Sequence, residues 1–411
     1  ATAKQVPRAK KPVSIFDSMA TTKLDSIWTP TFALLCLAQF LGYAPHFMLT
    51  PTFPLYVTHL GGSPFVVGLV LASFAVTSVL LRPLIGYWAD HWNEAGVLVS
   101  GLLFQGASIL LCLIPGVEAM MLANGFRGIG WAALNTGGYS LLALSAPTER
   151  RGEASGYYSG VQGSATILFP AVALWLIDAP LGGFKAVFVV AAALAVVGAG
   201  AGVVLGRYAP RTARAPEPDS SRSWRLEIFT FQERDVLLPS ALLFCSHLPL
   251  PAVTSFVVLY AREIGIGNLG SYFVVCGATS LLSRPLLGRV SDKVGRGPSL
   301  AAGFTLQIVA LCLLAAVSSP AGLLISGVLY MLGFAIGSST TLALAVERAN
   351  PQRRGRAMAT FSVAFPLSAG VGALLTGSAV ELAGYFWMYL IVAGLLTSGL
   401  VLALANWSSL K

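Results

Sequence analysis

Charge is what this sequence has least of. Of 411 residues only 10% are Asp, Glu, Lys or Arg, while 55% are apolar, and the mean hydropathy is +0.75. A water-soluble domain carries about 25% charged residues, so this chain cannot clothe a solvated surface of its own size. That excludes a soluble enzyme, and with it a nucleic-acid binder. Cysteine is also sparse. Cys36, Cys112, Cys245, Cys276 and Cys312 each lie in an apolar run without CxxC or Cys/His spacing. They read as packing residues, which excludes a disulfide scaffold and a structural zinc site. No GxxxxGK, HExxH or GxSxG pattern occurs, so neither an enzyme nor a cofactor is expected. The first 27 residues are polar and basic without an apolar core, unlike a cleavable signal peptide.

What is present in excess is Leu, Ala, Val and glycine, the composition of a polytopic helical membrane protein. A membrane-crossing helix needs about 20 mostly apolar residues. Twelve such stretches occur, near 29–57, 64–88, 96–115, 118–145, 154–177, 184–206, 236–261, 267–290, 299–318, 320–346, 357–380 and 384–407. Twelve crossings put both termini on one side, and basic residues choose it. On the amino-terminal side fall 21 of the 26 Lys and Arg; only Lys185 and Arg262 fall opposite, and Arg82, Arg127 and Arg284 sit within spans. The termini are therefore expected in the cytoplasm, with the chain in a bacterial inner (plasma) membrane. The polar stretch 207–235 divides the sequence. The expected organisation is a terminal segment 1–27, a six-helix bundle 28–206, a linker 207–235 and a second bundle 236–411. Trp224-Arg225-Leu226-Glu227-Ile228-Phe229 within the linker reads as a short amphipathic helix on the membrane surface.

The halves repeat. Arg82-Pro-Leu-Ile-Gly86-Tyr-Trp-Ala-Asp90 returns 202 residues later as Arg284-Pro-Leu-Leu-Gly288-Arg-Val-Ser-Asp292, and Arg150-Arg-Gly-Glu-Ala154 returns 203 residues later as Arg353-Arg-Gly-Arg-Ala357. Duplicated halves with a binding site between them are a transporter architecture. On these loops the chain resembles the major facilitator superfamily. The copy ending Asp292-Lys293-x-Gly295-Arg296 fits the signature best; in the first copy His91, Asn93 and Glu94 replace its basic and glycine positions. The resemblance implies an all-α fold of twelve transmembrane helices in two pseudo-symmetric bundles. It also implies a terminal-side latch built from Arg82, Gly86, Asp90, Arg284, Gly288 and Asp292. Arg127-Gly128-Ile129-Gly130 resembles the arginine motif of proton-linked members. Gly160, Gly163 and Pro170 are similar to the exporter signature of span five, with Phe169 where that pattern has glycine. The branch most resembled is that of drug:proton antiporters and sugar-efflux proteins.

The superfamily lines its pathway with spans one, four, seven and ten. On span one Gln39, Tyr43 and His46 share a helical face, and on span four Arg127, Trp131 and Asn135 do. The repeat carries the latter to Tyr330, Phe334 and Ser338 on span ten, and span seven adds His247 before Pro249 and Pro251. Gln39, Tyr43, His46, Arg127, Trp131, Asn135, His247, Tyr330 and Phe334 are the candidate substrate contacts. The bland alternative is that the aromatics pack and the histidines are structural. No Asp or Glu occupies the middle of these four spans. A cavity with Arg127 and two histidines favours anionic, zwitterionic or neutral polar cargo, with His46, His247 or the carboxylate of Asp178 carrying a proton. The expected function is secondary transport, as proton-coupled export of a small organic molecule. Proton-coupled uptake of an organic anion, or export of a lipid-like amphiphile, is the alternative. Its partners would be substrate, protons and the bilayer; the chain would act as a monomer and bind no nucleic acid.

Overall fold

The structure, a computed structural model, describes residues 27–91, 93–145, 150–208, 233–267, 269–350 and 354–410. Among these residues the only regular secondary structure is helical. In a bilayer each backbone N–H and C=O must be satisfied within its own segment, which helices do and open strands cannot. The helices are α1 (Pro30–His59), α2 (Pro64–Leu80), α3 (Arg82–His91), α4 (Glu94–Leu110), α5 (Val117–Ser145), α6 (Arg151–Asp178), α7 (Phe184–Tyr208), α8 (Leu237–His247), α9 (Leu250–Thr254), α10 (Val257–Glu263), α11 (Gly270–Val294), α12 (Arg296–Ala316), α13 (Pro320–Arg348) and α14 (Arg354–Ala405).

They make twelve crossings. Eight helical stretches are long and apolar enough to span, and the last of them crosses twice, because Gly384 at φ +78° turns the chain within α14. A left-handed backbone of that kind favours glycine. The shorter apolar helices α2 and Gly270–Ser283 supply two more. The twelfth is α5, 29 residues long, which carries Asn124, Arg127 and Asn135. Two expected spans are interrupted. Span two is broken at Leu81 into α2 and α3, two residues before Pro83, whose ring nitrogen has no hydrogen to give the carbonyl four residues earlier. Span seven is broken into α8, α9 and α10 around Pro249 and Pro251, so His247 stands at a helix end. By contrast α1 runs through Pro45, Pro51 and Pro54 unbroken. The amphipathic stretch 224–229 lies outside the described residues.

The repeat extends into the packing. Gln105 Nε2 on α4 donates to the Gly42 carbonyl of α1 at 3.1 Å, and Gln307 Nε2 on α12 donates to the Ser246 carbonyl of α8 at 3.0 Å. A Cβ on Gly130 would lie 2.6 Å from the Gly101 carbonyl oxygen; one on Gly333 would lie 2.5 Å from that of Gly303. At the same place in each half, two helices touch backbone to backbone, as small residues permit in membranes.

Two helix pairs, α2 with α14 and α6 with α11, make most of the contact between the halves, and α1 also touches α10. Because α2 and the first part of α14 run antiparallel, their contacts mark two faces. At one, Arg82 Nη1 donates to Ser362 Oγ at 2.9 Å and to its carbonyl at 3.2 Å. At the other, the Phe65 N–H donates to Glu381 Oε2 at 2.9 Å. The first is the terminal face, where α1 begins against the end of α7 (Thr31 Oγ1 to the Tyr208 carbonyl) and Leu410 accepts from the Gly297 N–H. At the opposite face the seam is tight: a Cβ on Gly68 would sit 2.6 Å from the Ala373 carbonyl oxygen. All of Pro51–Val57 on α1 and Val257–Ala261 on α10 is buried there.

Candidate functional site

The two stripes read on spans one and four meet rung by rung, because α1 and α5 run antiparallel. His46 stacks on Trp131 with ring centroids 4.1 Å apart and planes 22° apart. Arg127 Nη1 donates to His46 Nδ1 at 3.1 Å. Nearly one turn toward the terminal face Tyr43 packs on Trp131 at 4.5 Å and donates its hydroxyl hydrogen to Asn135 Oδ1 at 2.6 Å. One turn further Gln39 is fully buried, its amide against Gly138 and both polar atoms without a hydrogen-bond partner. Such an amide is available to a ligand or to water.

Arg127 is 4% exposed, and among the described residues no carboxylate lies within 4.0 Å of it. Its neighbours are neutral. Asn124 Oδ1 accepts from Nε at 3.0 Å and from Nη2 at 2.6 Å. Asn124 is in turn fixed by its own amide donating to the Val70 carbonyl at 2.6 Å. The guanidinium lies over the rings of Phe74, at 4.7 Å, and Phe53, at 5.3 Å. An arginine at mid-membrane costs about 2.5–3.5 kcal/mol on insertion scales. Two cation–π contacts of about 0.5–2 kcal/mol each, with the amide bonds, offset that cost without cancelling the charge. Accepting from Arg127 requires a lone pair on His46 Nδ1, hence the neutral imidazole with its hydrogen on Nε2. A proton on Nδ1 and the Arg127 bond exclude each other.

The second half repeats the frame with different chemistry. His247 occupies the place of Tyr43: its ring lies 4.5 Å from Phe334, and Nε2 is 3.3 Å from Ser338 Oγ, the counterpart of Asn135. Nδ1 is 3.0 Å from the Leu243 carbonyl, and Phe365 packs on the ring at 5.2 Å. Tyr330 replaces Arg127, fully buried, stacked 6.2 Å from Phe334, its hydroxyl without a partner. Every partner of the Arg127 guanidinium belongs to the first half, so His247 does not flank it directly. The cluster of Arg127, Asn124 and His46 is thus confined to one half of a duplicated frame.

The other candidates lie apart. Asp178 ends α6, exposed, at the face opposite the termini and away from this cluster. Gly86 and Asp90 lie on α3, and Arg284, Gly288 and Asp292 lie toward the end of α11, at the terminal face. Arg82 bonds across the seam to Ser362 on α14. Sequence reasoning missed Asn124, Phe53 and Phe74. The signal for Asn124 was its spacing, one turn before Arg127 on the same face; nothing local pointed to the two phenylalanines.

Two helical six-span halves related by repeat, with a polar cluster buried where α1 and α5 face each other, define a secondary membrane transporter. The chain belongs to the Major Facilitator Superfamily, whose family model matches residues 35–298 and again 243–407. The staphylopine export protein of Staphylococcus aureus is 21% identical over 364 residues, covering 88% of this chain and 92% of that one. The multi-drug resistance efflux pump PmrA of Streptococcus pneumoniae is 24% identical over 371 residues, covering 87% and 90%. Among solved structures, a POT family transporter in complex with a thioalcohol-conjugated peptide superposes with a TM-score of 0.76 at 12% identity, covering 92% of this chain and 96% of that one. The chain is thus a secondary transporter of that superfamily, moving small-molecule substrates across a membrane.

Proposed function

We propose that this protein is a proton-coupled exporter of small organic solutes bearing a carboxylate, with zwitterions the best fit, and that its terminal face is cytoplasmic. The observation that carries the reading is Arg127, buried beside His46 with only neutral partners. A guanidinium so placed attracts a carboxylate and can hold it bidentately. The aromatic faces of Trp131 and Tyr43 suit a cargo ammonium beside His46. His247, Ser338 and Tyr330 offer hydrogen-bonding groups to the rest of the solute.

Coupling follows from the cargo's second charge. A zwitterion that lays its ammonium against His46 repels a proton there, so cargo and proton compete, as exchange requires. A simple anion does the opposite: it draws Arg127 away from Nδ1 and favours a proton on His46. The same site would then run as a symporter, which keeps proton-coupled anion uptake as the second reading. The names of the relatives favour export. The basic residues crowding the terminal side favour its cytoplasmic placement, and Asp90 and Asp292 are assigned there to a latch that opens and closes with the transport cycle.

The test is flux from preloaded proteoliposomes under an imposed pH gradient, with an amino acid and a monocarboxylate compared. Zwitterion efflux should accelerate when the receiving side is acidified. His46→Gln should flatten that dependence. If the profile of His46→Gln is unchanged, the proton travels elsewhere.

A further inference from the structure

Arg262 is one of only two basic residues on the sparsely charged side of the sequence, and the structure places it in a cleft. At the face opposite the termini a cavity of about 360 Å³ opens between the halves. The first half supplies Thr58 and His59 from the end of α1 and Phe184 from the start of α7; the second supplies Arg262 and Glu263 from the end of α10 and Tyr385 from α14. Arg262 and Glu263 are exposed, and among the described residues neither has an ion-pair partner within 4.0 Å. Adjacent residues on a helix point in different directions, so the two cannot pair with each other well. Both nevertheless line the same cleft. His59 is the third titratable group there, its ring 5.3 Å from Phe184 and 6.3 Å from Tyr56. Tyr385 packs against Tyr260 in a tilted arrangement at 5.5 Å, an aromatic wall on the other side.

We propose that this cleft is a second ligand site, for a small zwitterion with an apolar or aromatic side chain. Its carboxylate would bond Arg262, its ammonium Glu263, and its side chain would lie between Phe184 and Tyr385. The volume lies within the range of about 300–1,000 Å³ typical of small-molecule pockets. Thirteen residues of helix separate His59 from His46, roughly 20 Å at 1.5 Å per residue, and the buried run Pro51–Val57 lies between them. The site is therefore separate from the Arg127 cluster. Because its walls come from both halves, an occupant ties α1 and α7 to α10 and α14 at the closed end of the seam. The proposal depends on neither the direction nor the coupling proposed above.

The test uses the purified full chain carrying Arg127→Gln, which removes the anchor of the central cluster, with L-phenylalanine as probe in isothermal titration. Saturable binding is expected to persist, and phenylacetate and phenethylamine, each lacking one charge, should bind about tenfold more weakly or worse, the scale of one charge-assisted hydrogen bond. Adding Arg262→Gln or Glu263→Gln should cost phenylalanine a similar factor. In the otherwise native protein, a cysteine placed by His59→Cys should be modified more slowly by a membrane-impermeant thiol reagent when phenylalanine is present, read at that site by mass spectrometry. Loss of all binding with Arg127→Gln in a folded protein, or binding indifferent to Arg262→Gln and Glu263→Gln, would overturn the proposal. So would labelling at position 59 that phenylalanine does not slow.

Discussion

Arg127 shows how one charge is kept in a membrane without being neutralised. Asn124 takes two of its N–H groups, His46 a third, and two phenylalanine rings shield its faces. Asn124, committed through its oxygen to Arg127 and through its amide to the Val70 carbonyl, is assigned in the proposed site to aiming the fork. Asn124→Ala is therefore expected to raise KM for a carboxylate about tenfold, with kcat changed far less, since a released guanidinium keeps its charge but loses its aim. Initial-rate flux over a concentration series checks this; a pure fall in kcat would show that Asn124 serves another step. Arg127, His46, Tyr43, Trp131 and Asn135 were legible in the sequence because polar residues at helical spacing in apolar runs stand out. The pairing of His46 with Arg127, 81 residues apart, was not. Neither helix encodes the register in which it meets the other.

At the scale of elements, the repeat is more deeply built in than its loop motifs suggest. Gln105 and Gln307 make the same bond in each half, and Gly130 and Gly333 make the same backbone contact. Overpacking such a contact costs about 1–3 kcal/mol or more. Gly130→Val and Gly333→Val are each expected to lower the thermal unfolding midpoint in detergent, and by comparable amounts. If only one did, the equivalence of the two contacts would fail. Breaks were partly legible: Pro249 and Pro251, which leave carbonyls without donors, point in sequence to a bend in span seven, and the structure goes further and divides it into three helices. Yet Pro45, Pro51 and Pro54 leave α1 continuous. A proline removes one donor, and whether the helix then breaks depends on neighbours that lie far away in the sequence.

For the whole molecule, the seam decides what can move. At the face opposite the termini Glu381 accepts from the amide at the start of α2, and Gly68 lets α2 rest on the backbone of α14. Glu381→Ala should loosen that end. Spin labels flanking it on α2 and α14 should then show a larger population at long separation, while an unchanged distance distribution would mean the glycine contact alone seals it. At the terminal face, Asp90→Asn and Asp292→Asn are expected to slow flux while leaving ligand affinity in detergent within about threefold, because both lie far from the middle of the spans. Twelve crossings and duplicated halves could be read from hydropathy and from two motifs about 202 residues apart. The seam could not, because its bonds join residues 280 or more positions apart.

The most direct measurement compares a carboxylate solute with its carboxamide, by equilibrium binding and by proteoliposome flux, in the native chain, in Arg127→Lys and in Arg127→Gln. The native chain should prefer the carboxylate by about tenfold or more. Arg127→Lys should keep part of that preference, since it retains the charge but not the planar fork. Arg127→Gln should lose it and carry the carboxylate no better than the amide. Carboxylate flux at the native rate in Arg127→Gln would contradict the assignment of Arg127 as the cargo's anchor.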